Sequence, residues 1–215
     1  IRDGIFRRSF VNVTIYVIAT IGLEVAVGLV LAGLVSLRPR GSTWFRIAFF
    51  IPVTLPIVVV AVLWSFVYNA DFGLLNAFLE GVGLERLTMV WLGDIRTALG
   101  AVSVVSGWIY AGFYMAIFYA AFRQLPTEVI EAAQLDGANA VQVFWRVKVP
   151  MVRRTAAVAV LLCVTGGLQS FDLFYVLTNG GPYGSTEIPT TYLVKVVFRN
   201  QEVGYGSAIA MLLLM

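Results

Sequence analysis

Four long apolar runs dominate this sequence, and a fifth begins near its end. The runs lie at about residues 10–35, 45–68, 98–122 and 155–177, and the fifth starts near Tyr205. Each of the four is long enough to cross a bilayer, which takes about 20 apolar residues in a helix. Because lipid offers the backbone no hydrogen bonds, a spanning segment must be a helix or a strand of a closed barrel, and barrel strands alternate over about 10 residues. The unbroken runs therefore predict an all-α fold, a polytopic bundle of transmembrane helices.

The composition agrees with a membrane protein and excludes several classes of function. Of the 215 residues, 60% are hydrophobic and 13% are charged, against about 45–50% and 25% in soluble domains. The net charge of +3 comes from scattered basic residues, which favour membrane-flanking charge over nucleic-acid binding. With no histidine and one cysteine, Cys163, the chain cannot form a histidine metal site, a Ser-His pair or an internal disulfide. We expect one transmembrane domain over residues 1–215, with further residues missing at both ends.

A polar, patterned segment at residues 123–154 separates the third run from the fourth. Thr127 is a predicted N-cap, and Gly137 is the type of residue that ends a helix in the left-handed conformation. Asn139 can cap a second short helix, which Pro150 is expected to end. The residues alone leave two interpretations open: a docking element for a partner outside the membrane, or an amphipathic loop lying on lipid headgroups.

The same segment, written EAAQLDGANAVQVFWRVKVP, resembles the "EAA" loop of permease subunits in binding-protein-dependent ATP-binding-cassette (ABC) importers. Its last four residues, V-K-V-P, depart mildly from the family form, which is a hydrophobic residue, any residue, Leu and Pro. Further similarities to the carbohydrate branch, the maltose and glycerol-phosphate type permeases, extend over nearly the whole chain. They begin at Phe45 (FR, then FIP), Trp64 (through NADFGLLN), Trp91 (WLGD), Phe171 (FD) and Thr178 (TNGGP).

This resemblance implies a type I ABC importer permease fold and a function. The chain would be the transmembrane subunit that forms the path for a sugar or related polyol, delivered by an extracytoplasmic binding protein. It would lie, multi-pass, in a bacterial or archaeal plasma membrane, with residues 123–154 cytoplasmic. The implied partners are a second, non-identical permease subunit, two ATP-binding subunits, the solute-binding protein and membrane lipid, with no nucleic acid.

No ATP-binding loop of the G-x-x-x-x-G-K-[ST] type occurs, because neither Lys148 nor Lys195 follows a glycine. We therefore expect no enzyme activity and no cofactor in this chain, with ATP and Mg bound by the partner subunit. In the family the EAA loop docks on that subunit and transmits its closure. The resemblance assigns this coupling role to Glu131, Ala132, Ala133, Gly137, Ala138 and Asn139.

A few residues interrupt the apolar runs. Pro52 and Pro56 remove backbone donors from the second run and predict a kink near them. Glu24 and Asp172 are ionisable, and each costs roughly 2.5–3.5 kcal/mol at the centre of a spanning helix. Glu24 is expected to pair with another helix or another subunit, or to remain protonated on its own. A proton relay is a further hypothesis, but the sequence near Glu24 supplies no second acid.

Polar and aromatic residues on one face of the third or fourth run are candidates to line the translocation path. They are Tyr110, Tyr114, Thr165, Gln169, Ser170 and Asp172. The spacing of Thr165, Gln169 and Asp172 predicts that they share one helix face, where they would offer hydrogen bonds to a polyol. Hydrogen bonding between helices, or packing of the two tyrosines, are the alternatives. At the level of function the alternatives are an ion-coupled secondary transporter and a non-pumping channel or scaffold subunit.

Overall fold

The computed structural model describes residues 3–37 and 41–214, and every regular element in them is helical. The prediction of an all-α fold is confirmed. We number the main helices in chain order. They are α1 Gly4–Ser36, α2 Ser42–Thr54, α3 Ile57–Val67, α4 Leu74–Gly81, α5 Ala98–Arg123, α6 Thr127–Leu135, α7 Ala140–Val143, α8 Arg153–Leu168, α9 Asp172–Leu177, α10 Pro189–Val194 and α11 Val203–Leu214.

Two helices in the described residues are long and apolar enough to cross a membrane by themselves, α1 with 33 residues and α5 with 26. They match the predicted first and third runs. The α2 and α3 helices make a third span if they are taken together as one broken segment, and α11 is a shorter apolar helix. The prediction of four spanning runs is therefore only partly met, because the second and fourth runs are interrupted.

The second run breaks at its prolines. The α2 helix contains Pro52 and ends at Thr54, and α3 begins only at Ile57. Between them Pro56 adopts an extended conformation, with φ −57° and ψ 127°. Since Pro56 has no N–H to donate, a helix through it would lose a hydrogen bond and meet a clash with the preceding turn. The expected kink is thus a full interruption.

The fourth run also breaks, and this corrects a prediction. The α8 helix ends at Leu168, and Gln169, Ser170 and Phe171 lie outside any helix before α9 starts at Asp172. The side chain of Thr190 donates to the carbonyl oxygen of Ser170 at 2.6 Å, which satisfies a backbone group that the break frees. The carboxylate of Asp172 stands in the first turn of α9, where the helix dipole favours negative charge. The proposed single helical face through Thr165, Gln169 and Asp172 is therefore wrong.

The chain divides into two compact units. Unit 1 comprises residues Ile1–Ala19, Leu55–Ser106 and Gly166–Met215, and unit 2 comprises Thr20–Thr54 and Gly107–Thr165. In unit 1, α9 packs against α3, with Leu173 and Phe174 almost completely buried. A second feature of unit 1 is an ion pair between Lys195, which is 22% exposed, and the buried Glu187. The backbone carbonyl of Glu187 accepts from the side-chain amide of Asn12 at 2.8 Å.

Unit 2 holds the larger apolar cluster. Met115 and Phe118 of α5 are fully buried at its centre, and Ala32 of α1 and Ala159 of α8 pack against them. The helices approach closely because small residues line the contact: a Cβ added at Gly28 would lie 2.7 Å from the Cβ of Tyr114. This packed unit carries the polar segment between α5 and α8.

Candidate coupling surface and translocation residues

The first helix of the polar segment, α6, stands exposed on almost all sides. None of its nine residues is buried. It begins at Thr127 after Pro126, which is the N-cap with φ −59° and ψ 129°, so the prediction of Thr127 as N-cap is wrong by one residue. Proline is tolerated at this position because the N–H groups at the start of a helix have no intrahelical acceptor, so its missing N–H costs no helical hydrogen bond.

The turn after α6 is a Schellman motif. The N–H of Ala138 donates to the carbonyl of Ala133 at 2.9 Å, and the N–H of Gly137 donates to the carbonyl of Gln134 at 3.0 Å. Gly137 has φ +85°, the left-handed conformation that this motif needs after a helix. The predicted role of Gly137 in ending the first helix is confirmed by this geometry.

A capping box starts the second helix, α7. The side-chain oxygen of Asn139 accepts from the N–H of Gln142 at 2.9 Å, and the side chain of Gln142 accepts from the N–H of Asn139 at 2.9 Å. The prediction that Asn139 caps this helix is confirmed. The capping box satisfies two backbone N–H groups that would otherwise lack a partner, and the Schellman motif precedes it. Together they define the path of the chain between α6 and α7.

The expected stop at Pro150 is wrong. After α7 the chain forms a π-helical turn, Phe144–Lys148, and then an α-helical turn, Val149–Met151, which contains Pro150. The α-helical hydrogen-bond pattern starts again after the π-helical turn, so Pro150 lies in the first turn of a new α-helical segment. There its missing N–H costs no helical hydrogen bond. The segment from α7 to Met151 is therefore one continuous arm.

This arm is anchored in the core of unit 2. Val143 is 3% exposed, and the ring of Phe144 packs edge-on against Phe122 with centroids 6.0 Å apart. A Cβ added at Gly33 of α1 would lie only 2.3 Å from the Phe144 ring, so glycine makes this contact possible. The exposed helix α6 is thus joined through a defined turn to an arm that is fixed to the spanning helices.

Leu135 is a candidate contact residue that sequence reasoning missed. It is the last residue of α6, and 89% of its side chain is exposed. Glu131 and Ala132 are exposed beside it on the same helix, and Ala133 is half-buried. This exposure makes Leu135 a candidate contact for a partner protein. In the sequence, the position of Leu135 directly before the Asp-Gly pair that ends the helix could have identified it as a candidate.

The candidate path residues lie in different surroundings. In unit 2, Thr165 is exposed and Tyr110 is half-buried, whereas Tyr114 is 4% exposed and belongs to the apolar cluster, which is the setting of a packing residue. In unit 1, Gln169 and Asp172 are both exposed around the break that precedes α9. The structure therefore brings Gln169 and Asp172 together with Ser170 at a helix break, and their role in the path stays a prediction.

Glu24 is buried in a π-helical stretch of α1, Ile21–Ala26, and is 5% exposed. The thiol of Cys163 on α8 donates to its carboxylate at 3.5 Å and lies 3.6 Å from the hydroxyl of Thr20. This agrees with the expectation that Glu24 meets another helix. The two residues are 139 positions apart, so helical spacing could not have identified the contact.

The fold and this surface define a class: a multi-helix membrane component with an exposed helix between two of its longer helices. The family model that matches residues 24–215 is described as "Binding-protein-dependent transport system inner membrane component". The chain belongs to this family of transport permeases, as the EAA loop predicted. It is a permease subunit of an ABC importer.

Curated relatives cover nearly all of the chain. The probable ABC transporter permease protein YurN of Bacillus subtilis is 38% identical over 214 residues, which are 99% of this chain and 73% of that protein. The osmoprotective compounds uptake permease protein GgtC of Synechocystis is 34% identical over 99% of this chain and 77% of its own length. The diacetylchitobiose uptake permease protein NgcF of Streptomyces coelicolor is 34% identical, over 99% of this chain and 63% of its own length. The resemblance to the carbohydrate branch is confirmed by these relatives.

A solved structure shares the fold. A chain of a bacterial ABC transporter involved in the import of the polysaccharide alginate superposes with a TM-score of 0.88 at 20% identity. The match covers 98% of this chain and 74% of that one. The predicted ABC importer permease fold is confirmed.

Proposed function

We propose that this permease forms the translocation path for a sugar or related polyol. An extracytoplasmic binding protein delivers the solute, and ATP hydrolysis on a separate subunit drives its transport. The names of the relatives support the solute class: they include a diacetylchitobiose uptake permease and a multiple sugar-binding transport permease, MsmF of Streptococcus mutans. The location proposed is the plasma membrane of a bacterium or archaeon, with several crossings.

The observation that carries the coupling role is the contrast between an exposed helix and an anchored arm. Leu135 is 89% exposed on α6, while Val143, eight residues later, is 3% exposed in the core of unit 2. A partner bound to α6 would transmit its movement through the turn at Gly137 to the core of unit 2. We assign the contact to Glu131, Ala132, Ala133 and Leu135, with Gly137, Ala138 and Asn139 shaping the turn.

In this arrangement residues 123–154 face the cytoplasm, where the ATP-binding subunits with their ATP and Mg are located. Two such subunits and a second, non-identical permease complete the transporter. This chain itself would bind no nucleotide and carry no cofactor. Gln169, Ser170 and Asp172 are proposed to contact the solute, because a helix break that exposes polar side chains is typical of membrane transport sites.

The test is solute uptake by the assembled transporter in proteoliposomes. Uptake of labelled oligosaccharide should require ATP and the binding protein, and should survive collapse of ion gradients. Uptake that persists without ATP and stops when the ion gradient is collapsed would favour the secondary transporter instead. ATP turnover that no sugar-loaded binding protein stimulates would contradict the proposed solute class.

A pair of variants tests the docking surface. Leu135→Asp should weaken association with the ATP-binding subunit about tenfold or more, because burial of a leucine contributes roughly 1.5–3 kcal/mol. Leu84→Asp is the matched control, since Leu84 is also exposed, at 47%, but lies outside the coupling segment. Equal loss in both variants, or none in Leu135→Asp, would refute the assignment.

A further inference from the structure

A crevice in unit 2 lies between the C-terminal end of α1 and the arm that follows α6. It encloses about 210 Å³. Val30, Leu34 and Leu37 form one wall, and Val141 and Trp145 contribute to the other. This volume is below that of pockets for drug-sized ligands, about 300–1,000 Å³, so the crevice suits part of a larger apolar molecule.

Among the described residues, Lys148 is the cation that lines this crevice. The ammonium of Lys148 donates to the hydroxyl of Ser36 at 3.3 Å and lies 5.8 Å from the centre of the Phe122 ring. Among residues 3–37 and 41–214, no carboxylate lies within 4.0 Å of it. Burial lowers the pKa of Lys148, because the charged form loses hydration without gaining an acidic neighbour. The charge of this site therefore favours an anion from outside the chain.

The open side of the crevice continues an apolar surface of a membrane-spanning helix. Val30 and Leu34 on α1 and Leu37 directly after it recur at helical spacing, and their side chains are 40%, 56% and 52% exposed. On a spanning helix such a stripe is the surface that lipid chains cover. Trp145 at the crevice is 53% exposed, and tryptophan is enriched at the level of lipid headgroups. An acyl chain that lies along α1 thus leads directly into the crevice.

We propose that this crevice binds an anionic phospholipid of the surrounding bilayer, with an acyl chain along Leu34 and the acidic headgroup at Lys148. Basic pockets between membrane helices hold acidic lipid headgroups by the same combination of charge and apolar walls. The lipid would join α1 to the arm that carries the coupling helix. Only its assignment to the cytoplasmic leaflet depends on the orientation proposed above.

The experiment measures lipid retention by the assembled transporter, without nucleotide or sugar. The complex is exchanged into discs of equal phosphatidylglycerol and phosphatidylcholine, extracted gently, and its bound lipids are counted by mass spectrometry. The parent should retain phosphatidylglycerol over phosphatidylcholine. Lys148→Gln should lower that preference about fivefold, the effect expected for one basic residue near an acidic membrane surface. Lys148→Arg should preserve it.

Two further variants separate the site from general charge and from misfolding. Arg146→Gln removes an exposed charge two residues away and should leave the preference unchanged. Leu34→Trp fills the crevice from an exposed position while Lys148 stays, and it should lower the retention of phosphatidylglycerol as Lys148→Gln does. An unchanged melting temperature in neutral-lipid discs shows that each variant is folded.

Three results would overturn the proposal. Equal retention of phosphatidylglycerol in the parent and in Lys148→Gln would show that Lys148 does not contact the headgroup. Displacement of the lipid preference by millimolar inorganic phosphate would assign the site to a free anion. Crosslinking of Val141 to the ATP-binding subunit in the presence of bound phosphatidylglycerol would assign it to a protein. Each of these outcomes leaves the permease function itself untouched, because none depends on transport.

Discussion

Substitution of Gly137 tests whether the turn after α6 transmits force to the rest of the permease. The structure defines the conformational free energy that this substitution costs. Gly137 has φ +85°, and a Cβ added there meets no atom within 4 Å. Gly137→Ala therefore causes no collision, and its cost is the left-handed conformation alone, about 1–2 kcal/mol for a residue with a side chain. Gly137→Asn should cost less, since asparagine tolerates this conformation.

A penalty of this size lowers the population of the native turn relative to other conformations by about 5–30-fold. In the assembled transporter, Gly137→Ala should reduce ATPase stimulation by the sugar-loaded binding protein, up to that factor. Gly137→Asn should give an intermediate value. The assay is ATP turnover in proteoliposomes at saturating binding protein, with complex formation checked by size-exclusion chromatography.

Gly83 supplies the matched control. It has φ +78° and equally open space around its Cβ position, but it lies between α4 and α5, outside the coupling segment. Gly83→Ala carries the same conformational cost and should leave stimulation unchanged. If both alanine variants lower stimulation equally, the effect is one of general stability. If neither does, the turn at Gly137 does not transmit force.

Three further predictions concern packing, charge and the path. Gly33→Ala should destabilise the permease by about 1–3 kcal/mol, because its Cβ would press on the ring of Phe144; Phe144→Leu should restore part of the loss in thermal unfolding. Glu187→Gln should lower the free energy of unfolding by about 3 kcal/mol, since it leaves Lys195 without its buried carboxylate, and Lys195→Met in the same chain should recover most of it. Asp172→Asn removes an exposed charge from the first turn of α9, so stability should fall by no more than about 1 kcal/mol while the KM for uptake rises; an unchanged KM would remove Asp172 from the path.

Local chemistry explains most of what the sequence predicted correctly. The roles of Gly137 and Asn139 follow from backbone conformation and capping within a few residues, which do not depend on the rest of the fold. The long spans of α1 and α5 follow from the cost of exposing polar groups to lipid. The helix break before Asp172 lay within an apolar run, and hydrophobicity gave no sign of it.

Contacts between distant parts of the chain account for what was missed. The π-helical turn that accommodates Pro150 packs Phe144 against Gly33, and no local pattern links these residues. The pairing of Cys163 with Glu24 likewise depends on how α8 packs against α1. Leu135 was overlooked because leucine is most often buried, and the structure shows that 89% of its side chain is exposed.

The central claim is that α6 receives force from a separate ATP-binding subunit. The direct measurement is crosslinking of the assembled transporter through Ala132→Cys and Leu135→Cys during ATP turnover; the native Cys163 is 3% exposed and should stay unreactive. We expect both positions to crosslink to the ATP-binding subunit, with yields that change between the ATP-bound and nucleotide-free states. Crosslinks to lipid alone, or no protein partner in any nucleotide state, would contradict the account.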